Sequence, residues 1–108
     1  MWVIRYHPDA KAEEDALPAR EQLAMTNVVS KLRVAGPALG FPHQSAVRNS
    51  TVRELRPRGG RSPWRAFYRR VGDQFVVGAV GPEAVVNSKG FQKAVGLAES
   101  RLDQSEKE

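Results

Sequence analysis

The chain has 108 residues, 41% hydrophobic and 27% charged, with 17 Lys and Arg against 12 Asp and Glu for a net charge of +5. That length allows one hydrophobic core and no second, and the composition is that of a folded, water-soluble domain rather than a disordered or membrane chain. There is no cysteine, and His7 and His43 lie far apart, so disulfide frameworks, thiolate sites and zinc spacings are excluded, and neither metal nor cofactor is expected.

Residues 2–6 are rich in β-formers and are stopped by His7-Pro8-Asp9, so they read as a first or edge strand. Pro8 or Asp9 then starts a helix over residues 10–17, with Glu13, Glu14 and Asp15 near its beginning, where the macrodipole favours acids. Pro18 breaks it. From Ala19 the apolar residues Leu23, Val28, Leu32 and Ala35, with Met25 and Val29 alongside, recur at helical spacing until Gly36-Pro37. They predict a second helix with one buried stripe, in which Met25 fills core space. Residues 36–50 show no period and read as a loop, ordered by Leu39 and Phe41 tucking into the core. His43 in that loop has no sequence neighbour to orient it as a base.

Residues 52–57, 64–71 and 74–81 read as three antiparallel strands, the first two joined by Arg58-Gly59-Gly60-Arg61-Ser62-Pro63 and the last two by the tight Gly72-Asp73 turn. Asn87 or Ser88 caps a final helix with apolar positions Phe91, Val95, Ala98 and Leu102. The expected fold is α+β: a small antiparallel or mixed sheet of about four strands, two N-terminal helices on one face, and a C-terminal helix. Residues 1–103 form one domain in this reading and 104–108 a polar, frayed tail. No apolar run approaches the ~20 residues that span a bilayer, and the first five residues lack a signal-peptide layout. A cytoplasmic protein is expected.

Residues 48–70 hold eight arginines and one acid, Glu54, a local charge of +7 that leaves −2 for the rest of the chain. Such a block is an electrostatic footprint for a polyanion, and the planar guanidinium fork suits both phosphates and stacked bases. Strand alternation puts Arg56 beside Glu54 on one face, with Arg65, Phe67 and Arg69 together on one face of the next strand. Leu55, Ala66 and Tyr68 fall on the other face as core candidates under the helices. Arg56, Arg65 and Arg69 are then left on an open face. Phe67 among them either stacks a base or packs in the core, because a register slip of one residue exchanges the two.

The runs Val52-Arg53-Glu54-Leu55-Arg56 and Trp64-Arg65-Ala66-Phe67-Tyr68, in this order of elements, resemble the RelE/ParE superfamily, within it the HigB-like, phage-derived branch. The resemblance implies a toxin that enters the ribosome, cuts mRNA and is restrained by a cognate antitoxin, often a helix-turn-helix protein. It matches Arg56 and Arg65 to basic residues that hold the scissile phosphate. Glu54 would be a base, or more simply would organise its neighbouring arginines. Arg53, Arg58, Arg61, Phe67, Arg69, Lys89 and Lys93 would complete the RNA contacts. The chain departs from the family pattern at Val80-Gly81-Pro82-Glu83-Ala84, where many relatives carry a basic residue, His or Tyr, and Lys89 and Lys93 are expected to substitute in part. Two alternatives follow from that gap: a ParE-like toxin that acts on DNA gyrase and cuts nothing, and an RNA-binding module without catalysis.

Overall fold

Pro8 at the first helical position and the His7 imidazole, whose Nδ1 accepts the Asp9 N–H at 3.1 Å, start α1 (Pro8–Asp15) directly after the edge strand β1 (Val3–Tyr6). Helix α2 (Ala19–Ala35) begins behind Pro18 and stops at Gly36, which takes φ +58° and has the Trp2 indole where a Cβ would stand. Then follow β2 (Gln44–Ala46), β3 (Arg53–Leu55), β4 (Trp64–Val71), β5 (Gln74–Pro82) and α3 (Ser88–Lys107). The computed structural model describes residues 1–107. Its sheet runs β1-β5-β4-β3-β2, with β1 parallel to β5 and every other pairing antiparallel.

Both faces of the sheet are covered. On one, Met25, Val28 and Leu32 of α2 pack with Leu55, Ala66, Tyr68 and Val77, placing the three predicted core residues as the alternation requires. On the other, Ala94, Val95, Ala98 and Leu102 of α3 pack on Val52, Phe67 and Ala79. The approach of α3 depends on small residues in β5: a Cβ on Gly81 would stand 2.5 Å from that of Ala94, and one on Gly78 would stand 2.9 Å from Leu102 Cγ. Gly78 is the extra residue of a bulge, since Phe67 faces Ala79 while Tyr68 faces Val77. β1 covers β5 only from Gln74 to Val77. Beyond it, the Val80 N–H donates to Glu13 at 3.0 Å and the Gly78 carbonyl accepts from Arg101 at 3.0 Å, so an ion pair seals the bare edge.

Four expectations change. The sheet has five strands, because Gln44–Ala46 pairs with β3 inside the segment read as loop; Gln, Ser and Ala carry no apolar alternation to announce a strand. Leu23 is 64% exposed, and Ala24 takes its place in a buried α2 stripe that otherwise holds Met25, Val28, Val29 and Leu32 as expected. Phe41 is not tucked inward but 72% exposed. The helix also continues through Lys107 where a frayed tail was expected from residue 104. Arg69 gives that last stretch a tertiary anchor, at 2.8 Å from Asp103 and 2.9 Å from Glu106.

Candidate nucleic-acid interface

Glu54 is the centre of an array built from three elements. β2 places Ser45 opposite it, and the Ser45 hydroxyl donates to Glu54 Oε1 at 3.1 Å. At the end of β3, Arg56 Nη1 donates to the same oxygen at 3.3 Å, while Arg56 Nε donates to the Pro42 carbonyl at 3.1 Å. Arg58, Gly59 and Gly60 then turn the chain with positive φ, and the Arg56 guanidinium occupies the place a Cβ of Gly60 would need. Arg56 is held from four sides. Its guanidinium also lies over the Phe41 ring, 4.9 Å from the centroid.

Beside this array opens a cleft of about 360 Å³, lined by Arg48, Glu54, Arg56, Arg65, Glu83 and Phe91 among others. Three guanidinium groups meet two carboxylates there, so an anion entering the cleft finds a net positive field. Arg48 is exposed and has no acid partner among the described residues, and Arg56 has a fifth of its side chain in water. These two are the groups a phosphate can reach.

Arg65 was expected on the same open surface and is not there. It is 3% exposed. Its Nη2 donates to Glu83 at 2.7 Å and to the Gly60 carbonyl at 3.2 Å; Nη1 donates to the carbonyls of Ser62 at 2.6 Å and Trp64 at 2.9 Å. Its Nε has no hydrogen-bond partner and faces Glu54 at 3.8 Å, too long for a hydrogen bond. Burial lowers its pKa from the ordinary arginine value, against the opposing pull of Glu54 and Glu83. Arg65 is a strut that ties the β3–β4 connection to the segment after β5, and it supports the cleft from behind.

The remaining predicted contacts scatter. Phe67 is fully buried, with its ring edge-on to Phe91 at 5.3 Å, so it packs in the core and cannot stack a base. Arg69 shares its face but is bonded to Thr51, Asp103 and Glu106. Arg58 points to the other side of the sheet, paired with Glu21 at 2.9 Å. There burial pushes the Glu21 carboxyl up, but hydrogen bonds from Arg58 and Ser62 outweigh it and hold its pKa below the usual carboxylate value. Arg53 lies opposite Tyr68 on the face packed by α2 and donates to Gln44 at 2.7 Å. Arg61, Lys89 and Lys93 are exposed.

The open-face expectation fails because α3 covers that face and because a charge balance along residues 48–70 omits the acids that folding delivers from elsewhere. Glu21 comes from α2, Glu83 from the β5–α3 connection, and Asp103 and Glu106 from α3. Arg56, by contrast, meets the block's own acid. Sequence reasoning also missed Arg48, Ser45 and Glu83 as cleft residues. Glu83 carried a usable signal, since it stands in the stretch that departs from the family pattern.

A family model described as "Phage derived protein Gp49-like (DUF891)" matches residues 12–95. A chain of the toxin-antitoxin complex RelBE2 from Mycobacterium tuberculosis aligns with a TM-score of 0.58 at 17% identity, over 76% of this chain and 98% of that one. A chain of the chromosomal ParDE TA system from P. aeruginosa gives 0.49 at 23% identity, over 76% and 96%. No curated protein matches the sequence.

Proposed function

The chain belongs to the Gp49-like phage-derived family and has the RelE/ParE fold, and we propose on that premise that it is the toxin of a type II toxin–antitoxin pair acting on messenger RNA in the cytoplasm. One observation carries the RNA reading: an open cleft in which Glu54 and the Pro42 carbonyl hold the Arg56 guanidinium at a fixed angle beside the free Arg48. Two guanidinium groups so placed neutralise charge on a phosphodiester. The 2′-hydroxyl oxygen of the RNA attacks the adjacent phosphorus and its proton passes to Glu54 or to water; the bond to the 5′-oxygen breaks, that oxygen leaves with a proton taken from water, and a 2′,3′-cyclic phosphate remains. Arg56 stabilises the added negative charge, already oriented when the substrate arrives. It is a poor proton donor, because its pKa lies far above neutral.

Proton transfer has thin support in the cleft, whose lining offers no imidazole or phenol and only Glu54 and Glu83 as carboxylates. Glu83 is taken by Arg65, which leaves Glu54 as organiser of Arg56 and as the nearest base. A protein so equipped depends on the ribosome to align the 2′-hydroxyl, which is why a ribosome-dependent cut is proposed rather than free nuclease activity. A cognate antitoxin, a helix-turn-helix protein in this reading, covers the cleft at Arg48 and Arg56 with an acidic or apolar segment. No helix among the described residues is long and apolar enough to cross a membrane.

The closed Arg65–Glu83 pair favours one competing reading, a ParE-like toxin that blocks DNA gyrase by protein contact. Brief induction in growing cells separates the two. The RNA reading expects new transcript 5′ ends at fixed codon positions and intact DNA; cleaved DNA with an unaltered transcriptome overturns it.

A further inference from the structure

Single exposed apolar residues are ordinary on protein surfaces, but Phe41 differs in what lies against it and on either side. The residue is 72% exposed, and the group over one face of its ring is the Arg56 guanidinium, itself fixed by Glu54 and the Pro42 carbonyl. The ring is therefore backed by a rigid cation while its other face meets water. Phe41 and Pro42 form a ridge with the Gly59-Gly60 turn: Gly60 lines the cleft, and Pro42 and Gly59 line a second hollow beyond it.

That second hollow, about 790 Å³, lies between α2 and the β3–β4 connection and is lined by Asn27, Lys31, His43, Arg58 and Arg61 among others. Glu21 neutralises Arg58. Lys31 and Arg61 are exposed and have no acid partner among the described residues. The ridge thus separates two basic hollows, each with reachable cations, and carries an aromatic ring between them. A single strand of RNA presents the same alternation, phosphates flanking a base with a π-face.

We infer that single-stranded RNA crosses this ridge: one phosphate sits at Arg48 and Arg56 in the cleft, the adjacent base stacks on the open face of Phe41, and the following phosphate lies between Lys31 and Arg61. The inference rests on the RNA reading above and adds a second subsite to it. It also assigns the stacking role to Phe41, where strand alternation leaves Phe67 open between stacking and core packing.

The test is binding of a short, fluorescently labelled single-stranded oligoribonucleotide to the purified full chain across a salt series. Phe41→Ala is expected to weaken binding about tenfold, with Phe41→Tyr close to the parent. Lys31→Gln and Arg61→Gln should each reduce the slope of log affinity against log salt by about 0.7. If these variants bind as the parent does while Arg56→Gln weakens binding, the cleft stands and the ridge is overturned. The ridge is overturned likewise if Phe41→Ala leaves RNA affinity intact and abolishes only association with a protein partner. A parent chain without salt-dependent binding of the oligoribonucleotide overturns the ridge, whereas the RNA reading itself stands or falls on the transcript 5′ ends found after induction.

Discussion

Arg65 and Arg56 occupy equivalent places in the sequence pattern, each an arginine at a strand end on the same face of the sheet, yet their environments give them opposite parts. Arg65 donates to three main-chain carbonyls and Glu83 out of contact with water. Removing it strands those acceptors and leaves Glu83 without its counter-charge. Arg65→Ala is therefore expected to destabilise the fold by about 3 kcal/mol, seen as a fall of roughly 10–15 °C in Tm. Arg56→Ala, at a solvent-facing site, should leave Tm within a few degrees of the parent. A Tm unchanged by Arg65→Ala would contradict the strut. Alternation alone could assign both residues to one face, because side-chain direction on a strand is a local property. Which of them meets water depends on Glu83 and on the turn at Gly60, and neither effect is local.

At the scale of elements, the β3–β4 connection is pinned from behind by Glu21 of α2, which accepts from Arg58 at 2.9 Å and from the Ser62 hydroxyl at 2.8 Å. Folding lowers the pKa of Glu21, so its contribution to stability is present above the unfolded value near 4.5 and is lost as pH falls through the folded one. Urea midpoints of the parent should accordingly drop more steeply than those of Glu21→Gln as the pH is lowered from about 5. Parallel acid limbs would show that the pin carries no net stabilisation. The elements themselves were largely legible. Prolines at 8 and 18, Gly36 and the 3.6-residue period placed α1 and α2 to within a few residues, and the Gly72-Asp73 turn placed the β4–β5 hairpin. β2 was not legible, since it exists to pair the edge of β3 and has no apolar pattern of its own. The Leu23 error was of a different kind: a period fits several helix faces until the sheet selects one.

For the whole molecule, the decisive feature was the position of α3. Its stripe of Phe91, Val95, Ala98 and Leu102 required a partner surface, and the small residues Gly78, Ala79 and Gly81 supply one in β5. Once α3 lies there, the face expected to be open is closed, Phe67 becomes core, and Asp103 and Glu106 neutralise Arg69. An arginine block that reads as one broad surface becomes a cleft at one end of the sheet, with Arg53 and Arg58 on the far side. Function by this account resides in the cleft rather than in bulk positive charge. The direct test compares Arg56→Gln with Arg53→Gln, two variants of equal charge change from opposite faces of the same short segment, for growth inhibition upon induction without a partner gene. The account predicts that Arg56→Gln abolishes inhibition and Arg53→Gln retains it. Equal loss in both variants, or continued inhibition by Arg56→Gln, would contradict it.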